Sequence, residues 1–400
     1  MTSNRRIRIA FLVPHTGGGG AEVVLGQLLA RLPADQFAAW LIAPAGQSLI
    51  DLAKRQEFSV HEHRFPAFPS TSIEIGERRI FNPLATLYSL LLVVLLAFQI
   101  HQHLRRNRID ILYTGSTYAH LIGALACLGL GCHLVWHVHE IMAPRLAGGL
   151  GPLIFGLVAR YRVRWMVVPS QAIADSIRFA DNISIVPNGV DLDNFARAQP
   201  APLRSEFRIA PTMPLIGLVG RITAWKGHRL FIEAANHLLA SGLDCRFIIV
   251  GDAVFDTRDY KAELLALVRE FGIEAQVIFA GFRTDIPGVM QSLDIVVVPS
   301  IRPEPFGLVA VEAMASSKPV VGSNAGGLAE IVLHGETGLL FQPGNVTELA
   351  QALEQLVADS ALRTRYGQQG RERVQTHYDV AGYGAAIVAG LLELNANHKH

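Results

Sequence analysis

The chain has 400 residues, half of them hydrophobic, with a formal net charge of +1. That length excludes a single ordinary domain and favours about two. Three cysteines lie in apolar runs without metal-ligand spacing, which excludes a disulfide or zinc framework and indicates free thiols in a reducing compartment. Residues 1–180 carry 17 Lys and Arg against 10 Asp and Glu, and the remainder carries 18 against 24. The basic first half is expected to meet an anionic partner, such as a phospholipid surface or a phosphorylated substrate, although scattered surface charge remains the alternative.

The first half of the sequence alternates strand-like and helical segments. Ile7–Val13 has the apolar pattern of a buried parallel strand, and a run of four glycines, Gly17–Gly20, separates it from a helical segment. Such glycines let a backbone approach a diphosphate or a sugar closely. Further strands are expected, in chain order, at AAWLIAP, FSVHEHRF, IDILYTG, CHLVWHVHE, VRWMVVPS and ISIVPNG. This alternation predicts a doubly wound α/β domain.

One helical segment of the first half is unusually apolar. Leu84–Ile100 has no charged residue over 17 positions and is followed by the basic HQHLRRNRID. It is long enough to be a buried core helix, a helix lying in a membrane interface, or a short membrane span. A span would interrupt the strand–helix alternation, so a core or interfacial helix is favoured.

Two histidines end a strand of the first half. His137 and His139 are two positions apart, so their side chains are expected on one face of LVWHVHE. No third ligand has convincing spacing, so we predict no metal site here. A satisfied core histidine is the simpler interpretation, and it fits His137 better than His139.

The second half repeats the α/β pattern. Strands are expected at LIGLVGRI, RFIIVGD, VIFAGF, DIVVVPS, PVVGSN and GLLFQPG. We therefore predict an N-terminal domain over residues 1–190, a polar, Pro-rich linker over 191–212, a second domain over 213–373 and a helical tail over 374–400 that packs back on the first domain. Two doubly wound domains would face each other across a cleft, with ligands beyond the carboxyl ends of their strands.

Two loops of the second half carry cations directly after strands. In VGRITAWKGH, Arg221 and Lys226 are placed to hold a diphosphate. In FAGFRTD, Gly281, Phe282 and Arg283 would cradle a flat base. Solvated surface charges are the alternative for the first loop, and an ordinary strand-to-helix loop is the alternative for the second.

The segment SIRPEPFGLVAVEAMASSKPVVGSNAGG holds two glutamates on either side of a predicted helix start. Glu304 lies in the loop after a strand, and the backbone N–H groups of Phe306, Gly307 and Leu308 would be free to bind a phosphate. Glu312 falls in the second turn, where it suits a diol such as ribose, and Glu304 would meet the group beyond the phosphates. Taken without their neighbours, the two glutamates have an equally good structural explanation, in which Glu304 is a charge in a surface loop and Glu312 a solvated position on the helix.

Together these segments resemble the signature of the retaining, nucleotide-sugar-dependent glycosyltransferases of family 4, the group 1 glycosyltransferases. The resemblance rests on E-x7-E at Glu304 and Glu312, GR…KG at Gly220–Gly227, NGVD at Asn188–Asp191 and GGLAEIVLHGETGLLFQPGN at Gly326–Asn345. It covers most of the chain and is more specific in the second half. It implies the α/β GT-B fold, two doubly wound Rossmann-like domains, with an acceptor-binding first domain and a donor-binding second domain.

The resemblance also implies roles for individual residues. Glu304 and His139, with His137 as the alternative histidine, would act at the reacting sugar, while Arg221 and Lys226 would hold the diphosphate. The full set expected at the donor is Gly18, Gly19, Arg221, Lys226, Arg283, Glu304, Phe306, Gly307, Leu308 and Glu312.

The expected activity is transfer of a hexose from a UDP- or GDP-sugar to an acceptor hydroxyl, with retention and without an obligatory cofactor or metal. The expected setting is bacterial surface-polysaccharide or lipid-linked glycan synthesis, in the cytoplasm or peripherally on the inner face of the plasma membrane. A glycan or lipid-linked acceptor and an anionic membrane surface are the expected partners, and nucleic acid is not. A nucleotide-sugar epimerase, a sugar phosphorylase and a non-catalytic nucleotide-binding partner subunit remain alternatives.

Overall fold

The computed structural model describes most of the chain. The described residues are 5–14, 19–46, 48–69, 72–75, 78–142, 150–177, 180–253 and 258–396. They divide into two compact units: residues up to Pro187 together with those from Tyr383 onward form the first, and Asn188–Gly382 form the second.

The first unit contains a parallel sheet and its helices. Its elements before the division are β1 Ile7–Leu12, α1 Gly20–Leu29, β2 Phe37–Ala43, α2 Ser48–Arg55, β3 Ser59–Glu62, β4 Ser72–Ile75, β5 Arg78–Phe81, α3 Pro83–Asn107, β6 Ile111–Thr114, α4 Thr117–Ala126, β7 His133–His137, α5 Leu150–Arg162, β8 Val163–Val168, α6 Gln171–Ser176 and β9 Ile183–Ile185.

The strand order of the first sheet is β3-β2-β1-β6-β7-β8-β9, and all its pairings are parallel. The chain moves outward from β1 through β2 to β3, then crosses to β6 and moves outward the other way. The order therefore reverses between β1 and β6, which is where ligands bind in such sheets.

The second unit repeats this architecture with six strands. Its elements are α7 Leu192–Arg197, α8 Leu203–Glu206, β10 Leu215–Val219, a 3₁₀ turn Ala224–Lys226, α9 His228–Ala240, β11 Arg246–Val250, α10 Arg258–Glu270, β12 Val277–Gly281, α11 Ile286–Ser292, β13 Ile295–Val298, α12 Leu308–Ala315, β14 Val320–Ser323, α13 Leu328–Ile331, β15 Gly338–Phe341, α14 Val346–Ala358 and α15 Ser360–His377. Helix α16, Val380–Ala396, begins in this unit and continues into the first.

The second sheet has the order β12-β11-β10-β13-β14-β15, and its order reverses between β10 and β13. Every residue of β10 and β13 is buried, as expected for central parallel strands covered on both faces. One hydrophobic core forms around Phe231 and Phe247, and another around Val296 and Val311.

The predicted fold class and all thirteen predicted sheet strands are confirmed. The antiparallel hairpin of β4 and β5 was not predicted, because its two four-residue strands lack the apolar run that marks a buried parallel strand. The segment predicted as a linker contains α7 and α8, whose Phe195 and Leu203 are buried in the second unit.

The segments at the two ends of the second unit lie side by side. The Val190 amide donates to the Tyr378 carbonyl at 2.8 Å, and the Val380 amide donates to the Val190 carbonyl at 3.1 Å. A Cβ on Gly189 would lie 2.4 Å from the Val380 Cα, so only glycine permits this approach. Beyond it, α16 contributes Tyr383, Ile387 and Leu391 to the buried residues of the first unit.

Candidate functional site

The second unit gathers its candidate residues at the point where the strand order reverses. The loop after β10 runs from Gly220 to Gly227, and the loop after β13 runs from Pro299 to Gly307. Because β10 and β13 are parallel neighbours, both loops leave the same edge of the sheet. The sequence indicates both loops separately, and the topology makes them adjacent.

Lys226 and Glu304 form the polar centre of this edge. Lys226 Nζ lies 2.7 Å from Glu304 Oε1 and 4.2 Å from the centre of the Trp225 ring. The Ser300 hydroxyl donates a hydrogen bond to the same Oε1. Only 6% of the Glu304 side chain and 23% of the Lys226 side chain are exposed. Among the described contacts Glu304 Oε2 accepts no hydrogen bond, so this oxygen is available to a ligand.

Glycines hold these loops together. Gly227 has φ +76°, and a Cβ there would lie 1.8 Å from the Pro299 carbonyl oxygen. The Ile301 amide donates to the Trp225 carbonyl at 2.9 Å across the same junction. On the other side, a Cβ on Gly326 would lie 2.3 Å from the Glu304 carbonyl oxygen. The glycines after the second glutamate therefore pack against the Glu304 loop and fix its backbone.

The start of α12 presents free backbone donors. No carbonyl of the described residues accepts a hydrogen bond from the N–H groups of Phe306, Gly307 or Leu308. Gly307 has φ +114°, a conformation that L side chains rarely adopt. The Phe306 ring is buried against Tyr378, with ring centres 5.9 Å apart, and anchors the loop. Free N–H groups at a helix start, with the helix dipole behind them, favour an anion.

Glu312 lies one turn further along α12. Its side chain is half-buried, and burial raises its pKa to about 8 because it disfavours the carboxylate. At neutral pH it is therefore mostly a neutral acid in the free protein. In that form it does not repel an anion held at the start of the helix, and it can both donate to and accept from a hydroxyl.

The two predicted arginines differ in their surroundings. Arg221 is exposed in the loop after β10, and no ion pair or hydrogen bond of its side chain is present among the described contacts. Arg283 instead donates to Glu206 Oε1 at 2.6 Å and to the Ala280 carbonyl at 3.2 Å. Its guanidinium thus joins α8 to the loop after β12, which gives Arg283 a structural task that the sequence did not indicate.

In the first unit the candidate histidines lie at the end of β7: His137 is its last residue and His139 follows it. The rings of His137 and His139 are 3.9 Å apart, as expected for neighbours on one face. His137 is buried, with its Nδ1 2.8 Å from the Tyr113 hydroxyl. His139 is partly exposed, and burial lowers its pKa to about 4. His139 is therefore a neutral imidazole at pH 7 with the more accessible ring.

The predicted glycine loop is described only in part. Gly18 lies outside the described residues. Gly19 caps α1 in an extended conformation, and a Cβ there would meet no atom within 4 Å. Packing among the described residues therefore does not require glycine at position 19.

Three polar residues near the Glu304 site escaped sequence analysis. Ser300 supports Glu304, as described above. His228 begins α9 fully buried, and neither its Nε2 nor the Thr223 hydroxyl has a hydrogen-bond partner within the described chain. The sequence offered a signal for each of them. His228 directly follows the Lys226-Gly227 pair, and Thr223 and Ser300 lie in the loops after β10 and β13. Across the described residues, no group of three or more His, Cys, Asp or Glu side chains is arranged to hold a metal ion.

Two protein-family models match the chain. The first, described as Glycosyltransferase Family 4, matches residues 18–194, and the second, described as Glycosyl transferases group 1, matches residues 202–373. Together they span both units and include every candidate residue named above.

Curated relatives match over about half of the chain. A 2-deoxystreptamine glucosyltransferase of Streptomyces kanamyceticus is 36% identical over 204 residues, which are 50% of this chain and 51% of that protein. A lipopolysaccharide 1,2-N-acetylglucosaminetransferase of Salmonella typhimurium is 32% identical over 238 residues, which are 56% of this chain and 58% of that protein. The chain thus spans only about half the length of the curated relatives it matches.

A solved structure matches over almost the whole chain. The crystal structure of Anabaena Alr3699/HepE in complex with UDP-glucose has a TM-score of 0.79 and 27% sequence identity. The match covers 97% of this chain and 100% of that one.

Proposed function

Because the chain belongs to the group 1 glycosyltransferases of family 4 and has their GT-B fold, we propose that it transfers a hexose from a nucleotide diphosphate sugar to an acceptor hydroxyl with retention of configuration. One observation carries the proposal: the Lys226–Glu304 pair lies beside free helix-start donors at the reversal point of the second sheet. A cation, a buried carboxylate and free N–H groups suit a ligand that joins a diphosphate to a polyol.

We further propose UDP as the carrier, with GDP as the alternative. The full-length relative of known structure holds UDP-glucose. In this chain the N–H groups of Phe306, Gly307 and Leu308 would bind the diphosphate, with Arg221 and Lys226 adding positive charge. The neutral form of Glu312 suits a ribose hydroxyl close to those phosphates.

The proposed reaction needs no protein nucleophile. The bond between the sugar anomeric carbon and the diphosphate oxygen breaks, and the acceptor oxygen bonds to the same carbon from the same face. The acceptor proton passes to the departing diphosphate. Arg221, Lys226 and the helix-start N–H groups stabilise the charge of that leaving group, so no obligatory metal is needed. Glu304 Oε2 orients the sugar hydroxyls, and the neutral His139 accepts or donates a hydrogen bond at the reacting sugar.

The proposed setting is synthesis of a bacterial surface polysaccharide or a lipid-linked glycan, on the cytoplasmic side of the plasma membrane. The lipopolysaccharide transferase among the relatives supports this proposal. Another relative is a 2-deoxystreptamine glucosyltransferase, so the acceptor is the least constrained part of the proposal.

Nucleotide binding tests the donor site. Thermal unfolding would be followed with UDP, GDP, ADP and UMP, once with EDTA and once with Mg²⁺. A ligand that binds the native state raises the melting temperature by mass action. We expect UDP to raise it in both buffers, and UMP to raise it less because UMP lacks the second phosphate.

Two arginine variants locate the site. Arg221→Ala should weaken UDP binding about tenfold, since a charge-assisted hydrogen bond contributes about 1.5–3 kcal/mol. Arg269→Ala removes an exposed arginine of α10 and should leave UDP binding unchanged. Equal binding by the two variants would contradict the assigned diphosphate site, and no shift with any nucleotide would remove the main support for a transferase. Conversion of UDP-glucose to another sugar nucleotide without an acceptor would instead favour an epimerase.

A further inference from the structure

Helix α3 has two apolar faces. One face is buried in the first unit through Leu92, Val93, Leu96, Ala97, Ile100 and Leu104. The other face, here called the α3 outer face, consists of Leu84, Leu87, Tyr88, Leu90, Leu91, Val94, Leu95 and Phe98, each more than half exposed. These eight residues recur every three or four positions over about 21 Å of helix. An exposed apolar surface of this length marks a site of interaction.

Helices α3, α4 and α5 lie on one side of the first sheet. The connections β3 to β6, β6 to β7 and β7 to β8 all run in one direction along the strand order, opposite to β1 to β2 and β2 to β3. Right-handed crossovers therefore place α3, α4 and α5 on one face and α1 and α2 on the other. The packing agrees, because Val93 of α3, Ile122 of α4 and Phe155 of α5 belong to one core cluster.

The outward sides of α4 and α5 are also apolar. Leu125 is 39% exposed at the end of α4, and Leu128 is 47% exposed just after it. On α5, Leu153, Leu157 and Tyr161 are exposed at intervals of four residues, so they share one side of the helix. The α3 outer face is thus the largest part of an apolar helical layer.

The charges of this layer have a single sign. The sequences of α3, α4 and α5 contain no aspartate or glutamate. Arg105 and Arg106 are exposed at the end of α3, and Arg105 follows Phe98 by seven residues on the same side of the helix. Arg160 and Arg162 are exposed at the end of α5. Arg160 forms an ion pair with Asp181, outside these helices, at 3.1 Å. The helices themselves carry only cationic charges beside their exposed leucines, which complements an anionic bilayer with hydrocarbon below a negative surface.

We propose that the outward surfaces of α3, α4 and α5 dock on the surface of an anionic lipid bilayer, with the α3 outer face dipping into the headgroup region. Of the described helices, α3 alone is long and apolar enough to cross a membrane by length and composition. Crossing would remove its Ile100 and Leu104 from the core of the first unit, so α3 lies along the surface instead. A second copy of the chain fits less well, because a two-fold interface would bring this acid-free layer against itself.

Vesicle sedimentation tests the proposal with the full chain. The vesicles would contain phosphatidylcholine alone or with phosphatidylglycerol, at low and at high salt. We expect sedimentation with the anionic vesicles, and weaker sedimentation at high salt because salt screens the arginines.

The triple variant Leu87→Gln, Leu91→Gln, Leu95→Gln should bind at least about tenfold more weakly, since each leucine loses burial in the bilayer. Arg105→Gln with Arg106→Gln should lose about tenfold at low salt and little at high salt.

A matched triple variant controls for lost surface hydrophobicity. Val23→Gln, Ile185→Gln and Leu265→Gln change three exposed apolar residues, of which Val23 lies on α1 at the opposite face of the first sheet. This variant should sediment like the wild type, and circular dichroism should show that both triple variants are folded.

Three outcomes would overturn the proposal. The wild type could remain in the supernatant with both kinds of vesicle, or the two triple variants could bind equally. Analytical ultracentrifugation could also show a dimer that the Leu87, Leu91, Leu95 variant dissociates, which would identify a second copy as the occupant. None of these measurements involves sugar transfer, so failure here and failure of the proposed donor site are separate results.

Discussion

The Lys226–Glu304 contact shows what a single residue pair adds to a motif. The sequence selected both residues because each follows a strand and each fits the family signature. It did not show that they touch, because 78 positions separate them and the contact depends on β10 and β13 being neighbours. Arg283 shows the opposite case: its charge favoured a ligand in the sequence, yet Glu206, 77 positions away, already binds it. Residue type and position after a strand were predictable, but pairing was not.

Glu312 should make the stability of the second unit depend on pH. Burial raises the pKa of Glu312 from its ordinary value of 4.5 to about 8 in the folded protein, so between these values the native state holds a proton that the unfolded state has lost. The free energy of unfolding must therefore fall as pH rises from about 5 to 8, by up to about 1.4 kcal/mol per pH unit. Glu312→Gln keeps the shape without the ionisation, so the variant should be more stable than the wild type by about 3 kcal/mol near pH 8 and similar near pH 5.

Urea unfolding at several pH values would measure this difference. The control Glu263→Gln removes an exposed glutamate of α10 and should follow the wild-type pH profile. A Glu312→Gln profile parallel to that of the wild type would mean that Glu312 is ionised in the native state throughout. Its assignment as a neutral hydroxyl partner would then be wrong.

At the scale of elements, apolar runs predicted the strands well because both faces of each parallel sheet are covered. Strand order was not predictable, since the crossover from β3 to β6 depends on which edges remain free after the first strands pair. The strand order reverses between β1 and β6 in the first sheet because of that crossover. It reverses between β10 and β13 in the second sheet because of the crossover from β12 to β13. The sequence therefore indicated the loops of the site before it could indicate that they adjoin.

A substitution at Gly227 tests the close contact between the loop after β10 and the loop after β13. Gly227→Ala adds a Cβ that would lie 1.8 Å from the Pro299 carbonyl oxygen, so the loops after β10 and β13 must separate. Gly242→Ala has a similar φ, +81°, but its Cβ meets nothing within 4 Å. The Gly242 variant should lose about 1 kcal/mol and bind UDP normally, whereas the Gly227 variant should lose about 2 kcal/mol or more and bind UDP poorly.

Calorimetric titration with UDP and urea unfolding of both variants would provide the comparison. Similar losses in the two variants would indicate that only backbone conformation matters at position 227. The close approach of the loops would then not be needed for the donor site.

At the scale of the whole molecule, the two units differ in continuity. The second unit is one uninterrupted stretch, Asn188–Gly382, and its two ends are hydrogen-bonded to each other through Val190. The first unit needs residues from both sides of that stretch, because Tyr383, Ile387 and Leu391 of α16 are buried in it. The sequence predicted a helical tail over 374–400 that packs back on the first domain, and in the structure the residues from Tyr383 onward belong to the first unit.

Truncation tests this asymmetry. A fragment of residues 188–382 should unfold cooperatively and bind UDP, because its core and the residues proposed to hold the diphosphate and the ribose, from Arg221 to Glu312, are contained within it. A chain ending at Gly382 should lose on the order of 5 kcal/mol or more from the first unit, since three large buried side chains are removed. Hydrogen exchange on the shortened chain would show which unit is affected, and equal protection of the first unit in both proteins would contradict the assignment of α16.

The side-by-side ends of the second unit also bear on how the protein is made. A ribosome delivers residues 188–382 as a complete set, whereas the first unit receives α16 only after the whole second unit has been synthesised. The nascent first sheet must therefore persist for the time taken to translate about 200 residues without the helix that covers it, and its exposed apolar surfaces would be open to chaperones during that interval. A nonsense codon just after Gly382 would then yield a chain that recognises its donor yet remains a chaperone client.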